Sequence, residues 1–137
     1  MSRLDSGLLL EEVSAIVGTA GILDLAGYAI DGVRPLVVAR PADRDEVARL
    51  LALAQGVGAH VIPWGGGTLI DAGLPPRGVD LVMVLDRLDR VIEHEPADLT
   101  VTVEAGITLA KLQATLAARG QNLGLDAPLA ERATIGG

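Results

Sequence analysis

Apolar residues recur at helical spacing at Leu9, Val13, Ile16 and Val17, and the pattern stops near Gly18 and Gly21. This predicts a helix over residues 8–17. Asp31-Gly32 marks a turn. Leu36 to Ala39 is a short apolar run closed by Pro41, as expected of a buried strand. Asp43 followed three residues later by Glu46 has the form of a capping box. It opens a helix carrying Val47, Leu50, Leu51, Ala54 and Val57, which Gly56 and Gly58 end. His60 to Pro63 is short and β-branched and predicts a second strand, parallel to the first. Leu81 to Leu85 predicts a further strand. Val91 to Glu95 and Leu99 to Glu104 predict a hairpin, with Pro96-Ala97-Asp98 in its turn. Residues 100–104 alternate strictly, as a half-buried strand should. Thr108 caps a helix with Leu109, Leu112 and Leu116 on one face and Gly120 at its stop. The tail, Ala133-Thr134-Ile135-Gly136-Gly137, has no capping signal of its own. There is no internal repeat. The expectation is one α+β domain, or the first part of one.

Composition narrows the chemistry. The 137 residues are half hydrophobic, so a real core is available, but it lacks Phe and holds one Trp and one Tyr. Packing must come from Leu, Val, Ile and Ala. The absence of Cys excludes disulfides, thiolate metal sites and a Cys nucleophile. A net charge of −7 excludes a basic nucleic-acid footprint. The longest run of large apolar residues, Leu81 to Leu85, falls far short of the roughly 20 needed to span a membrane. Met1 to Gly7 leads into only three leucines before Glu11 and Glu12, unlike a signal peptide. A cytoplasmic location is therefore expected.

The strongest local signal is Pro63-Trp64-Gly65-Gly66-Gly67-Thr68, directly after a predicted strand. Three glycines remove every Cβ, permit positive φ and let the backbone approach a ligand closely. Successive N–H groups in such a loop form an anion-binding concavity. An acidic protein can hold a pyrophosphate this way without Lys or Arg. A tight surface turn explains the same residues equally well. Two familiar phosphate loops do not fit. The nucleotide-hydrolase loop needs Gly-Lys-Ser/Thr, and Lys111, the chain's one lysine, is far away in sequence. The Gly-x-Gly-x-x-Gly fingerprint from Gly65 would require glycine where Ile70 stands.

The remaining polar residues point to structure. His60 reads as a packed or partly exposed structural histidine. His94, between Glu93 and Glu95, reads as a solvated face rather than a metal ligand. Residues 86–90 alternate in charge sign and read as a salt-bridged surface turn. Trp64 is more often a packing residue, although its place before the glycines suits a cofactor contact. Two histidines are too few for a histidine-rich metal site, and none is predicted.

Four motifs occur in order: Pro35 with Pro41-x-Asp43-x-x-Glu46-Val47, then Pro63-Trp64-Gly65-Gly66-Gly67-Thr68 with Gly73, then Val101-x-Val103-x-Ala105-Gly106, then Ala133-Thr134-Ile135-Gly136-Gly137. In this order they resemble the FAD-binding domain of the vanillyl-alcohol-oxidase/p-cresol-methylhydroxylase (PCMH) superfamily. The resemblance covers roughly residues 34–137 and is greatest to the FAD-binding subunit of glycolate oxidase and related 2-hydroxyacid dehydrogenases.

That resemblance implies the amino-terminal part of a two-subdomain α+β fold, built from the strand–helix–strand unit, the hairpin and the following helix. Residues 1–33 would be a helical lead-in, and 34–137 the PCMH-type domain, truncated at its carboxyl end. The cofactor would be FAD. The backbone of Gly65, Gly66, Gly67 and Thr68 would hold its pyrophosphate, with Gly73 helping the loop close and Trp64 nearby. Pro128, Thr134, Ile135, Gly136 and Gly137 would line its other side. Family members often carry Arg where Trp64 stands, and some carry a flavin-linked His where Thr68 stands, so the FAD is expected to be non-covalent. The implied activity is oxidation of a small 2-hydroxy acid such as glycolate, with further oxidase subunits, including an iron-sulfur subunit, as partners. Catalytic residues would lie beyond residue 137. The alternatives are the FAD subunit of a molybdenum hydroxylase complex and a non-catalytic domain using the glycines as a turn.

Overall fold

The computed structural model describes residues 5–137. The reading of Met1 to Leu4 as part of a leader-free start lies outside the described residues. The chain divides into two compact units, one running to Trp64 and resuming over Ile70–Arg87, the other comprising Gly65–Leu69 and Leu88–Gly137.

The first unit is a four-stranded sheet with two helices. Helix α1 spans Ser6–Val17, two residues ahead of the predicted start, because the Asp5 carboxylate accepts from the N–H groups of Gly7 and Leu8. It presents Leu9, Val13 and Val17 to the core. Strand β1 is Ile22–Leu23, β2 is Val37–Ala39, helix α2 is Arg44–Val57, β3 is Val61–Trp64 and β4 is Leu81–Val84. The capping box predicted for α2 forms: the Glu46 N–H donates to Asp43 at 2.9 Å, and the Glu46 carboxylate accepts from the Ala42 N–H at 2.7 Å. Gly58, left-handed with φ 71°, ends the helix; Gly56 lies within it.

Strand order is β1-β2-β4-β3, with β1 antiparallel and the other pairings parallel. The two strands flanking α2 are parallel as predicted but are not neighbours. β4 lies between them, pairing Val82 with both Val38 and Ile62. Both faces of β2 and β4 are covered, which is why these strands are continuous apolar runs rather than alternating ones. Val37, Ala39, Leu81 and Met83 pack with α1 and with Leu50 of α2. Val38, Val82 and Val84 pack with Ile30 and Val79. Full burial of Leu50 is worth about 2 kcal/mol.

The second unit holds strands β5 (Val91–Glu95) and β6 (Thr100–Val103) as an antiparallel hairpin, followed by helix α3 (Leu109–Ala117). The alternation of β6 sends Val101 and Val103 to a core of Ile107, Leu112 and Leu116, leaving Thr100 and Thr102 exposed. Thr108 caps α3, its side chain accepting from the Lys111 N–H, and Gly120 takes φ 67° past its end. The tail is not the loose end its sequence suggests. Thr134 bridges to Thr108, the Ile135 N–H donates to the Ile107 carbonyl at 2.9 Å, and the Gly136 N–H donates to the Ala105 carbonyl at 2.8 Å.

The charged run is salt-bridged as expected, but three of its four charged members, Asp86, Asp89 and Arg90, reach partners distant in sequence. Asp86 holds Arg40 through two bonds of 2.7 and 2.8 Å, which raise the guanidinium above its ordinary value against a smaller opposing effect of burial. Asp89 pairs with Lys111, and Arg90 with Glu104. No helix among the described residues is long and apolar enough to cross a membrane.

Candidate functional site

The glycine loop and the chain's tail meet inside the second unit. Strand β3 ends at Trp64, and the chain then enters the second unit at Gly65. A Cβ on Gly65 would collide with the Thr134 hydroxyl oxygen, and one on Gly66 with the Arg132 carbonyl oxygen. The Arg132 guanidinium donates to the Gly66 carbonyl at 3.0 Å. Of the three glycines only Gly67 has positive φ, at 65°. The positive φ expected of the run occurs at Gly67, and the close approach expected of it is made first by the protein's own tail. Gly67 turns the chain, whereas Gly65 and Gly66 are glycines because the tail leaves no room for a side chain.

This packing leaves donors unused. Among the described residues, the backbone N–H groups of Gly65, Gly66, Gly67, Thr68 and Leu69 donate to no protein acceptor. Gly65 to Thr68 are half-buried and Leu69 is exposed, so this run of donors is open to an acceptor from outside the chain. Thr134 adds a further orphan: its hydroxyl oxygen is buried and has no hydrogen-bond partner. A Cβ on Gly137 would sit 3.0 Å from that oxygen, and one on Gly136 would press on Ala105 at 2.7 Å. The second glycine pair is thus also a close-approach site. Neutral donors concentrated this way can hold a dianion in an acidic protein.

The structure brings together Gly65, Gly66, Thr134 and Gly137 among the residues singled out in the sequence. Gly67 and Thr68 follow in the same loop, and Ile135 and Gly136 in the same tail. Pro128 is exposed and opens the turn that ends at Arg132. Trp64 and Gly73 belong to the first unit. Trp64 stacks edge-on against Tyr28, ring centroids 5.0 Å apart, and packs with the cluster around Val82. Gly73 is exposed with φ 133°.

Sequence reasoning passed over Arg132. The signal that could have found it is a cation standing directly before the second glycine motif in a chain of net charge −7. The histidines are placed much as expected, with one correction. His60 is exposed and bonded to Asp80 at 2.9 Å. His94 is not on a solvated face: it is half-buried, and its Nε2 bonds the Gln121 side-chain oxygen at 2.8 Å. No group of three His, Asp or Glu among the described residues could hold a metal.

Comparison with known proteins identifies the family of this chain. The model of the FAD binding domain family matches residues 35–137. A D-2-hydroxyglutarate dehydrogenase from Xanthomonas citri pv. viticola is 33% identical over 121 residues, covering 83% of this chain and 25% of the relative. Glycolate oxidase subunit GlcD of Bacillus subtilis is 26% identical over 103 residues, 75% of this chain and 22% of that protein. A solved alkyldihydroxyacetonephosphate synthase superposes with a TM-score of 0.81 at 21% identity, covering 99% of this chain and 32% of that one. The chain spans about a quarter of the length of the curated relatives it matches. The fold is also that of p-cresol methylhydroxylase. A family model covering most of the sequence, over the stretch that contains both glycine motifs, places this chain in the FAD binding domain family.

Proposed function

We propose that this chain forms part of the FAD site of an FAD-linked oxidoreductase that converts a small 2-hydroxy acid to the 2-oxo acid. The observation that carries the reading is the run of five unpaired N–H groups from Gly65 to Leu69, beside the orphan hydroxyl of Thr134. FAD fits these donors: its pyrophosphate is a compact dianion, and successive backbone N–H groups form a concave anion site. The substrate class is supported by the names of the sequence relatives, a D-2-hydroxyglutarate dehydrogenase and a glycolate oxidase subunit.

When bound, the flavin ring supplies the acceptor for a hydride or its equivalent leaving the hydroxyl-bearing carbon of the substrate. The chain's own contribution is binding and orientation. The N–H groups of Gly65, Gly66, Gly67, Thr68 and Leu69 donate to pyrophosphate oxygens. The Thr68 hydroxyl adds a donor at the end of the loop. Thr134, Ile135, Gly136 and Gly137 line the cofactor from the tail, with Pro128 as an outer contact. The flavin is held without a covalent bond, the loop carrying Thr68, a poor nucleophile, where some family members carry a flavin-linked His. Residues 34–137 are taken as the cofactor domain and 1–33 as its lead-in. The protein is cytoplasmic and works with further oxidase subunits, an iron-sulfur subunit among them.

The test uses the full-length protein. Its absorbance spectrum should show oxidised flavin, and anaerobic addition of glycolate, D-lactate or D-2-hydroxyglutarate should bleach the visible flavin band. A flavin band that no 2-hydroxy acid bleaches would overturn the substrate class. A protein that takes up no flavin would overturn the whole reading.

A further inference from the structure

We propose that Arg132 is the cation of the phosphate-binding loop, fixing the loop's geometry and placing a positive charge beside the bound anion. The inference rests on the FAD reading above and adds to it a charged residue, where that reading uses only neutral donors.

Arg132 meets Gly66 in two ways. Its carbonyl oxygen lies against the Gly66 Cα, close enough to exclude any side chain, and its guanidinium donates to the Gly66 carbonyl oxygen at 3.0 Å. The two contacts clamp one peptide group in the middle of the run of free donors. A peptide plane is rigid, so fixing the Gly66 carbonyl fixes the N–H of Gly67 on the same plane and directs it to the opposite side. Arg132 therefore sets where a donor of the loop points.

The guanidinium also has capacity left. It carries five N–H donors, of which the Gly66 carbonyl takes one. No carboxylate among the described residues lies within ion-pairing distance of it, whereas Arg90 and Lys111 in the same unit are held by Glu104 and Asp89. A guanidinium resting on a neutral carbonyl keeps its full charge for an anion bound at the loop. Arg132 is exposed and held in place by a turn in which the N–H groups of Arg132 and Ala133 both donate to the Leu129 carbonyl at 2.8 Å. The loop's anion would then be met by backbone dipoles in the field of a full positive charge fixed on the Gly66 carbonyl.

The experiment measures FAD affinity of flavin-stripped full-length protein by fluorescence titration across a series of salt concentrations. Wild type should bind FAD with an affinity that falls as salt rises, because a screened charge contributes. Arg132→Gln should weaken FAD roughly ten- to hundredfold, the loss of a charge-assisted bond, and should flatten the salt dependence. Arg132→Lys should retain the salt dependence and recover most of the affinity, which a purely structural arginine would not allow. It also serves as the measurement if the glutamine variant fails to fold. Wild-type affinity and salt dependence in Arg132→Gln would overturn the role of Arg132 and leave the FAD reading standing. Equal losses in the lysine and glutamine variants would overturn the charge. A wild type that binds no FAD would overturn both.

Discussion

The carbonyl oxygen of Arg132 stands where a β-carbon on Gly66 would have to go. The collision is with the protein's own backbone, so Gly66 is required before any ligand arrives. Gly66→Ala should destabilise the flavin-free protein by about 1–3 kcal/mol, the usual cost of forcing atoms into a filled space. Gly67→Ala should cost about 1 kcal/mol, through its φ of 65° alone. Thermal melting of the stripped full-length protein checks both. An unchanged melting temperature for Gly66→Ala would show that the loop does not rest on the tail in this way.

Thr134 separates folding from binding. Its buried hydroxyl has no partner within the chain, so Thr134→Val removes an unsatisfied polar group at nearly constant volume. The flavin-free protein should be as stable as wild type or slightly more so. FAD affinity should fall by about 1 kcal/mol, roughly fivefold, if the hydroxyl bonds the cofactor. Thr134→Ser should keep that affinity. A valine variant that is destabilised and binds FAD normally would mean that the hydroxyl serves the fold.

Glu104 anchors the second unit. Its carboxylate, nearly all buried, accepts from the Arg90 backbone N–H at 3.0 Å and from the Arg90 guanidinium at 3.1 and 2.7 Å. Glu104→Ala should cost about 2 kcal/mol, because the backbone N–H loses its acceptor while the exposed guanidinium can turn to water. Denaturant unfolding gives the value, and a loss below about 0.5 kcal/mol, typical of a surface pair, would contradict it.

The attachment of the flavin has a simple assay. Acid precipitation of the full-length protein should release the yellow colour into the supernatant. Colour held in the pellet and mapped to a peptide within residues 1–137 would contradict the non-covalent reading. His60→Ala and His94→Ala should leave flavin content unchanged, since Asp80 and Gln121 already engage these rings in structural bonds.

The helices were legible because their signals are local. Asp43 with Glu46, Thr108, and the leucines of α3 announce caps and faces within a few residues of one another. β1 was not, because two residues carry no period. Nor was the placement of β4 between β2 and β3, since the chain order suggests that the strands flanking α2 are neighbours, and only the closed sheet reveals the insertion. In the site, the glycine run was plain, but its cause was not. Gly65 and Gly66 answer to Thr134 and Arg132, residues far along the chain, through contacts that no local spacing encodes. The bonds that tie Ile135 and Gly136 to Ile107 and Ala105 run between backbone atoms and leave no mark on side-chain identity.

A crystal structure of the full-length protein with FAD bound tests the central claim most directly. The account predicts pyrophosphate oxygens within about 2.7–3.2 Å of amide nitrogens in the run from Gly65 to Leu69, with the Thr134 hydroxyl bonded to the cofactor. A pyrophosphate seated on other residues, with these amides facing solvent, would contradict it.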